Sequence, residues 1–392
     1  MKKILIFTML LALVLTGCGD TSDSGNGSNA ESLQGSGQLG TAESAAGQEN
    51  AQTEKNSSAE NSSMGSGTAE EIPQAEKQIF AMDTYMVLTG YGEKAQEAVD
   101  AAAEEIERLD DMLSVGNEDS EIAQINKNGS GKISEDTAIM LEESISLFKS
   151  TDGAFDITIY PIMEAWGFTT QNYQVPEKKE LEKLLEAVDT SALQYDSESG
   201  MLTLSEDQGI DFGAIAKGYA SSRVMQIFEE YGLVSGLVSL GGNVQCYSAK
   251  TDGSAWRCGI MNPYSEEDGV EPLGVVSVVD KAVITSGGYE RYFIDEETGK
   301  KYHHIIDPST GYPAESGLVS VTIVSDNGML ADGLSTSIFI MGLEKAEDYW
   351  QEYGDAFDMV LMTEDKEIYI TEGLEDSFTA QKEFSVSVIR GK

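Results

Sequence analysis

The chain has 392 residues, 68 of them acidic against 25 basic, for a formal net charge of −43. That balance excludes a nucleic-acid-binding surface, which needs clustered Lys and Arg to meet phosphates. Two histidines and three cysteines are the whole supply of imidazole and thiol.

Met1-Lys2-Lys3 is a basic start, and Ile4 to Leu15 is an apolar run too short to span a membrane comfortably. Leu15-Thr16-Gly17-Cys18 matches the bacterial lipobox, in which the cysteine is lipidated and becomes the new N-terminus. The expectation is a protein tethered by lipid to the extracytoplasmic face of the cell membrane. Residues 19 to 75 are rich in Ser, Gly, Asn, Ala, Glu and Gln, too poor in apolar side chains to offset chain entropy, and predict a disordered stalk. The literal GxGxxG within it, Gly35 to Gly40, has no strand before it and no amphipathic helix after it, so it is a chance match.

Residues 76–392 are globular in composition, enough for one large domain or two lobes. Ile79 to Gly92 reads as an opening strand, and Glu93 to Leu113 as an amphipathic helix with Ala98, Val99, Ala102, Ile106 and Leu109 at helical spacing. A polar loop holds Ser120-Glu121-Ile122, and a second helix runs from Glu135 to Lys149. Ala154 to Phe168 is apolar and aromatic, Glu177 to Val188 a charged helix, Met201 to Ser205 a strand. A helix follows from Ala214 to Tyr231, then strands over Val234 to Ser248 broken at Gly241-Gly242. Gly274 to Ile284 and Leu318 to Val324 are β-rich, Ala331 to Met341 is helical, and the tail from Phe357 suggests short strands. Strands that come in runs as well as alternating with helices indicate α+β rather than a doubly wound sheet.

Asp211-Phe212-Gly213-Ala214-Ile215-Ala216-Lys217-Gly218 sits where a strand meets a helix N-terminus, a position attractive to anions, with Lys217 one turn in. Taken alone, a capping Asp211 and a solvated Lys217 are the simpler reading. His303 and His304 are adjacent in a strand or strand end, so only one can face a site. Asp307 to Gly311 is a turn signature. Asp332, Ser335 and Thr336 at i, i+3 and i+4 put carboxylate and hydroxyl oxygens on one helical face, suited to a hard cation such as Mg²⁺, although in isolation a helix-capping Asp followed by small residues is the simpler reading. Gly287-Gly288-Tyr289-Glu290-Arg291-Tyr292 and Ser239 to Asn243 are glycine turns that would let backbone approach a planar or phosphate-bearing ligand, and ordinary hairpins explain them nearly as well. Cys246 and Cys258 lack metal-ligand spacing; pairing across a hairpin and two buried thiols both remain open.

From Phe80 into the tail, these motifs occur in one order together with Met82-Asp83-Thr84, Asn126, Thr151 to Asp156, Trp166-Gly167-Phe168 and Thr285-Ser286-Gly287. In that combination the chain resembles the ApbE family of FAD:protein FMN transferases. The resemblance implies a single two-lobed α+β domain with mixed and antiparallel sheets, helices flanking them and FAD in a cleft. It implies cleavage of FAD with Mg²⁺, transfer of FMN to a threonine hydroxyl of acceptor proteins, and release of AMP. By motif position, the Ala214 carbonyl, Asp332 and Thr336 are the implied magnesium ligands, with Ser335 assisting. Met82, Ala154, Phe155, Asp156, Asp211, Lys217 and the backbone near Ile306 are the implied FAD contacts. His304 is the implied general base, with Asp307 as its alternative. Ser114-Val115 stands where many relatives have an aromatic residue, so flavin stacking falls to Tyr173 or Trp166 or is absent. An FAD pyrophosphatase and a lipoprotein that only carries flavin are the alternative functions.

Overall fold

The computed structural model describes residues 71–265 and 272–391; the leader, the lipobox at Cys18 and nearly all of the stalk lie outside them. From Ile72 onward the chain is one compact unit. It opens on a hairpin, β1 (Gln74–Ala81) and β2 (Thr84–Tyr91), where the sequence suggested one strand. The break is at Met82 and Asp83, both at positive φ (48° and 60°), which makes a tight turn from two residues that rarely adopt it. The amphipathic α1 (Ala95–Leu113) forms as expected, burying Ala98, Val99, Ala102, Ile106 and Leu109. The supposed loop at Ser120 is a helix, α2 (Glu121–Asn128), because the Ser120 hydroxyl accepts from the Ala123 N–H and caps it. A short strand β3 (Ser130–Lys132) leads to α3 (Glu135–Ser150), capped by Ser134.

Past α4 (Tyr160–Trp166) and α5 (Lys178–Leu184), β4 (Gln194–Asp196) and β5 (Met201–Thr203) complete a small sheet with β3. Next come α6 (Ala216–Glu230), β6 (Ser235–Leu240), β7 (Asn243–Tyr247), β8 (Trp256–Ile260), β9 (Gly274–Val278) and β10 (Ala282–Gly287). A two-stranded ribbon, β11 (Tyr292–Ile294) and β12 (Lys301–His303), precedes β13 (Leu318–Ser325), α7 (Gly328–Met341) and α8 (Leu343–Tyr353). The tail supplies β14 (Asp358–Thr363), β15 (Ile368–Thr371), β16 (Phe378–Ala380) and β17 (Val386–Ile389).

A nine-stranded sheet in the order β1-β2-β6-β7-β10-β13-β14-β15-β17 runs through the unit. It is antiparallel except for the β15–β17 pair, hence the mixed α+β class. Alternation along the strands assigns its two faces. On one face Leu88, Val238, Ile284 and Ile323 meet α1, α6 and α7 in the main core. On the other, Leu237, Val244, Cys246, Val283 and Val360 pack against a three-stranded sheet, β16-β9-β8. A third apolar cluster joins α4 and α5 to the loop after β12 through Ile162, Trp166, Phe168, Leu181 and Ile306. The register pairs Met86 with Leu240 and Asn243 with Ile284. The β1–β2 turn, the Gly241-Gly242 turn and the C-terminal end of β10 therefore share one end of the large sheet.

Candidate active site

That end of the sheet meets the start of α6 and the first turns of α7. The two helices approach closely because Gly218 faces Gly328: a methyl group on Gly218 would sit 2.3 Å from the Gly328 carbonyl oxygen and 2.5 Å from Asp332 Cβ. No larger residue fits this crossing. The approach brings the Asp332 carboxylate to the first turn of α6, where Oδ2 accepts from the Gly218 N–H at 2.8 Å and the Lys217 N–H also bonds the carboxylate. Asp332 thus caps a helix that has no side-chain cap of its own. In an uninterrupted helix the Gly218 N–H would bond the Ala214 carbonyl, so that carbonyl is left without its usual partner. One expectation changes here: the α6 N–H groups of Lys217 and Gly218 are taken by Asp332 rather than offered to an anion.

The other Asp332 oxygen accepts from Asn243 Nδ2 at 2.9 Å. Asp332 is only 3% exposed, and this desolvation raises its carboxyl above the ordinary range, against the pull of Lys217 and the Asn243 and Gly218 bonds. Ser335 is fully buried and bonded to Ser286 Oγ (2.7 Å) and the Asp332 carbonyl (2.8 Å), so its hydroxyl fastens α7 to β10. Thr336, also near Ser286 (3.5 Å), is only partly buried. Among the described residues no three His, Cys, Asp or Glu side chains cluster to hold a metal by themselves. A cation here needs carbonyl and hydroxyl oxygens beside the single carboxylate.

The Ile210–Ala214 segment is held from α2. Asn126 clamps the Ile210 peptide at both ends, Oδ1 accepting from its N–H (2.7 Å) and Nδ2 donating to its carbonyl (2.8 Å). Asp211 closes a turn on the Gly213 N–H at 2.8 Å. Its carboxyl is raised by desolvation, while the Gly213 bond, Arg291 and Lys217 oppose this and Asp83 adds to it. Glu290 and Arg291, just past β10, complete the charged lining. Enclosure by neighbouring groups raises the Glu290 carboxyl, with Lys217 opposing and Asp332 reinforcing, while more than a third of the residue stays open to water. Lys217 makes no ion pair within 4.0 Å among the described residues, yet its charge acts on Asp211, Glu290, His304 and Asp332 together. It is the cation these four groups share.

The two histidines divide as alternation requires. His303 is spent on structure: Nδ1 accepts from the Ile305 N–H (3.3 Å), leaving Nε2–H to donate to the Ala314 carbonyl (3.1 Å), with the ring edge-on to Phe339. His304 follows β12 and turns the other way. Its Nδ1 lies 3.1 Å from the Arg291 carbonyl, an acceptor, so Nδ1 carries the proton and Nε2 keeps a lone pair. Desolvation first, and the positive Arg291 next, lower its pKa to about 3. Phe168 packs edge-on against it.

Several expected contacts serve as framework. Both Asp156 oxygens are occupied, Oδ1 by Thr158 N–H (2.8 Å), Thr158 Oγ1 (2.5 Å) and Thr190 Oγ1 (2.7 Å), Oδ2 by Thr190 N–H (3.2 Å). Asp156 therefore braces the loop instead of presenting a free carboxylate. Phe155 is 2% exposed in the main core; Ala154 beside it stays partly accessible. Ile306 is buried and bridges to Pro313. Asp307 Oδ1 accepts from the Ser309 N–H (2.8 Å) and hydroxyl (2.7 Å), which closes its turn and weakens its case as a base. Trp166 is fully buried, its Nε1 donating to the Gly311 carbonyl (2.8 Å), so it is closed to a flavin; Tyr173 is 39% exposed but stacks on Phe293. Met82 sits on the strained turn with its N–H bonded to Asp110, and Gly241, at φ +62°, abuts Thr84 so closely that a methyl there would lie 2.3 Å from its hydroxyl. Sequence reasoning placed Asn243, Glu290 and Arg291 in glycine turns and Ser286 in a family motif, but gave none of them an individual role.

Known proteins share this arrangement of the chain. The FAD:protein FMN transferase of Haemophilus influenzae is 32% identical over 289 residues, 71% of this chain and 81% of that protein. That of Treponema pallidum is 30% identical over 307 residues, 73% and 83% of the two. The crystal structure of the ApbE protein of Thermotoga maritima superposes with a TM-score of 0.71 at 30% identity, covering 77% of this chain and 98% of that one. A histidine-to-glycine variant of the Vibrio cholerae flavin transferase ApbE gives 0.67 at 26%, covering 76% and 98%. With the ApbE family model matching residues 82–361, the chain is a member of the ApbE family.

Proposed function

We propose that the protein moves FMN from FAD onto a threonine hydroxyl of acceptor proteins, releases AMP, and does so outside the cytoplasm from a lipid anchor at Cys18. The observation that carries the reading is that Asp332, held at the start of α6, and His304, fixed on the Arg291 carbonyl, both lie within the field of Lys217 in a chain whose relatives bear that activity's name. In the transfer, the hydroxyl oxygen attacks the flavin-side phosphorus, its proton passes to a base, and the bond to the AMP phosphate breaks. His304 Nε2 suits the base by position, since Nδ1 is held on the Arg291 carbonyl and leaves Nε2 with the free lone pair. Lys217 suits the diphosphate, whose negative charge it would offset from among the carboxylates of the cleft. Asp211 and the Met82 turn border the same space and suit the remainder of the dinucleotide.

The donor set also suits Mg²⁺, which takes few protein oxygens and keeps others from water or phosphate. Asp332, the unpartnered Ala214 carbonyl and the accessible Thr336 hydroxyl would hold it, with Ser335 positioning α7 from behind. Bound there, the ion supplies charge neutralisation on the two phosphates. Incubating the protein with FAD, Mg²⁺ and an acceptor flavoprotein tests the function. Covalent FMN on the acceptor with free AMP supports it; free FMN with AMP marks a pyrophosphatase, and unchanged bound FAD marks a carrier.

A further inference from the structure

The two thiols outside the active site occupy matched places. After β7, the chain turns back with Lys250 N–H bonding the Ser254 carbonyl, and Trp256 Nε1 donates to the Ser248 carbonyl at 3.0 Å. These two bonds fold β8 back over β7. Ordinary strand pairing between them is barred, because β6 and β10 already occupy both edges of β7. Instead β8 lifts out of the large sheet and crosses its face within the three-stranded sheet. Alternation turns Cys246, with Val244, toward that layer, and turns Cys258, with Trp256 and Ile260, back toward it. Both are free thiols buried in one apolar cluster, at 1% and 6% exposure, and Cys258 is the leading influence holding the Cys246 thiol well above its ordinary value.

From this placement we infer that Cys246 and Cys258 form a disulfide that staples the two sheets together when the chain folds under oxidising conditions. In the reaction one thiolate attacks a disulfide-bearing oxidant, and the second thiolate displaces the oxidant from the mixed disulfide. One S–S bond forms, two protons leave, and the oxidant takes two electrons as a dithiol. The step belongs to folding, before β8 and β9 close over the sulfurs, because buried apolar thiols are poor nucleophiles afterwards. The loop it closes is short, about a dozen residues, so the gain is that of a modest staple. Nothing in the inference depends on flavin transfer.

The test is to refold the full chain from denaturant in a glutathione redox buffer and, in parallel, in reductant, then block free thiols in denaturant and map peptides by mass. The expected result is a Cys246–Cys258 link, two hydrogens lighter, in most oxidised molecules, with a melting temperature roughly 5 °C above the reduced form. The double variant Cys246→Ala, Cys258→Val should lose the dependence on reductant. Fully blocked thiols at both positions, or links only to Cys18 or glutathione, overturn the inference. The peptide map of the unaltered chain decides the matter even where the variant fails to fold.

Discussion

His304 shows how one backbone carbonyl can set the chemistry of a side chain. With Nδ1 committed to the Arg291 carbonyl and the pKa lowered to about 3, the imidazole is neutral and leaves Nε2 as the base the proposed transfer calls for. His304→Gln should therefore lower transfer by about 10²- to 10⁴-fold, measured as FMN incorporation, while FAD binding persists. The same shift has a stability consequence with a definite sign. The folded-state pKa lies below the unfolded value of 6.5, so the unfolded chain binds more protons as pH falls from 6.5 toward about 3. Stability is lost across that window, by at most about 1.4 kcal/mol per pH unit from this group. Denaturant titrations at several pH values should show a shallower fall in His304→Gln; equal slopes would contradict the assignment. Asn243→Ala leaves Asp332 Oδ1 without its donor, at a cost of roughly 1–3 kcal/mol, unless added Mg²⁺ compensates. At this scale the family motifs singled out His304 and Asp332, which spacing alone left as an ordinary histidine and a capping Asp. Asn243 and Arg291 act through a strand neighbour and a carbonyl, and neither relation is written in spacing.

At the level of elements, the site exists because two glycines let α6 and α7 touch. Gly218→Ala should force the helices apart, costing about 1–3 kcal/mol from overpacking and nearly all transfer, since it moves Asp332 from the start of α6. A protein that melts at the usual temperature with full activity would refute this role. The Met82-Asp83 turn makes the opposite trade. Two non-glycine residues at positive φ cost on the order of 1–3 kcal/mol each, so Met82→Asn with Asp83→Gly should raise the melting temperature while weakening FAD binding, read by fluorescence titration. Helices and buried strands followed from periodicity: α1, α3 and α6 fell within two residues of expectation. The first hairpin did not, because its turn carries none of the Asn-Gly chemistry that signals one. Nor did α2, whose few apolar positions, Ile122 and Ile125, are too short a run to outweigh its polar neighbours.

For the whole molecule, the large sheet gathers turns from β1–β2, β6–β7 and β10 at one end, and the helices on its face close that end into a cleft. The order of motifs along the chain foretold which segments would meet, but not that Asp156, Asp307 and Ser335 would serve the frame, since partners such as Thr190 and Ser286 are remote in sequence. The central claim is that Asp332, brought to the start of α6, and His304 work on one bound dinucleotide. The most direct test is mass spectrometry of an acceptor flavoprotein after incubation with FAD, Mg²⁺ and either the unaltered protein or Asp332→Ala, with folding of the variant verified by its melting curve. The account predicts covalent FMN and released AMP with the unaltered protein and neither with the variant; full incorporation by a folded Asp332→Ala protein would contradict it.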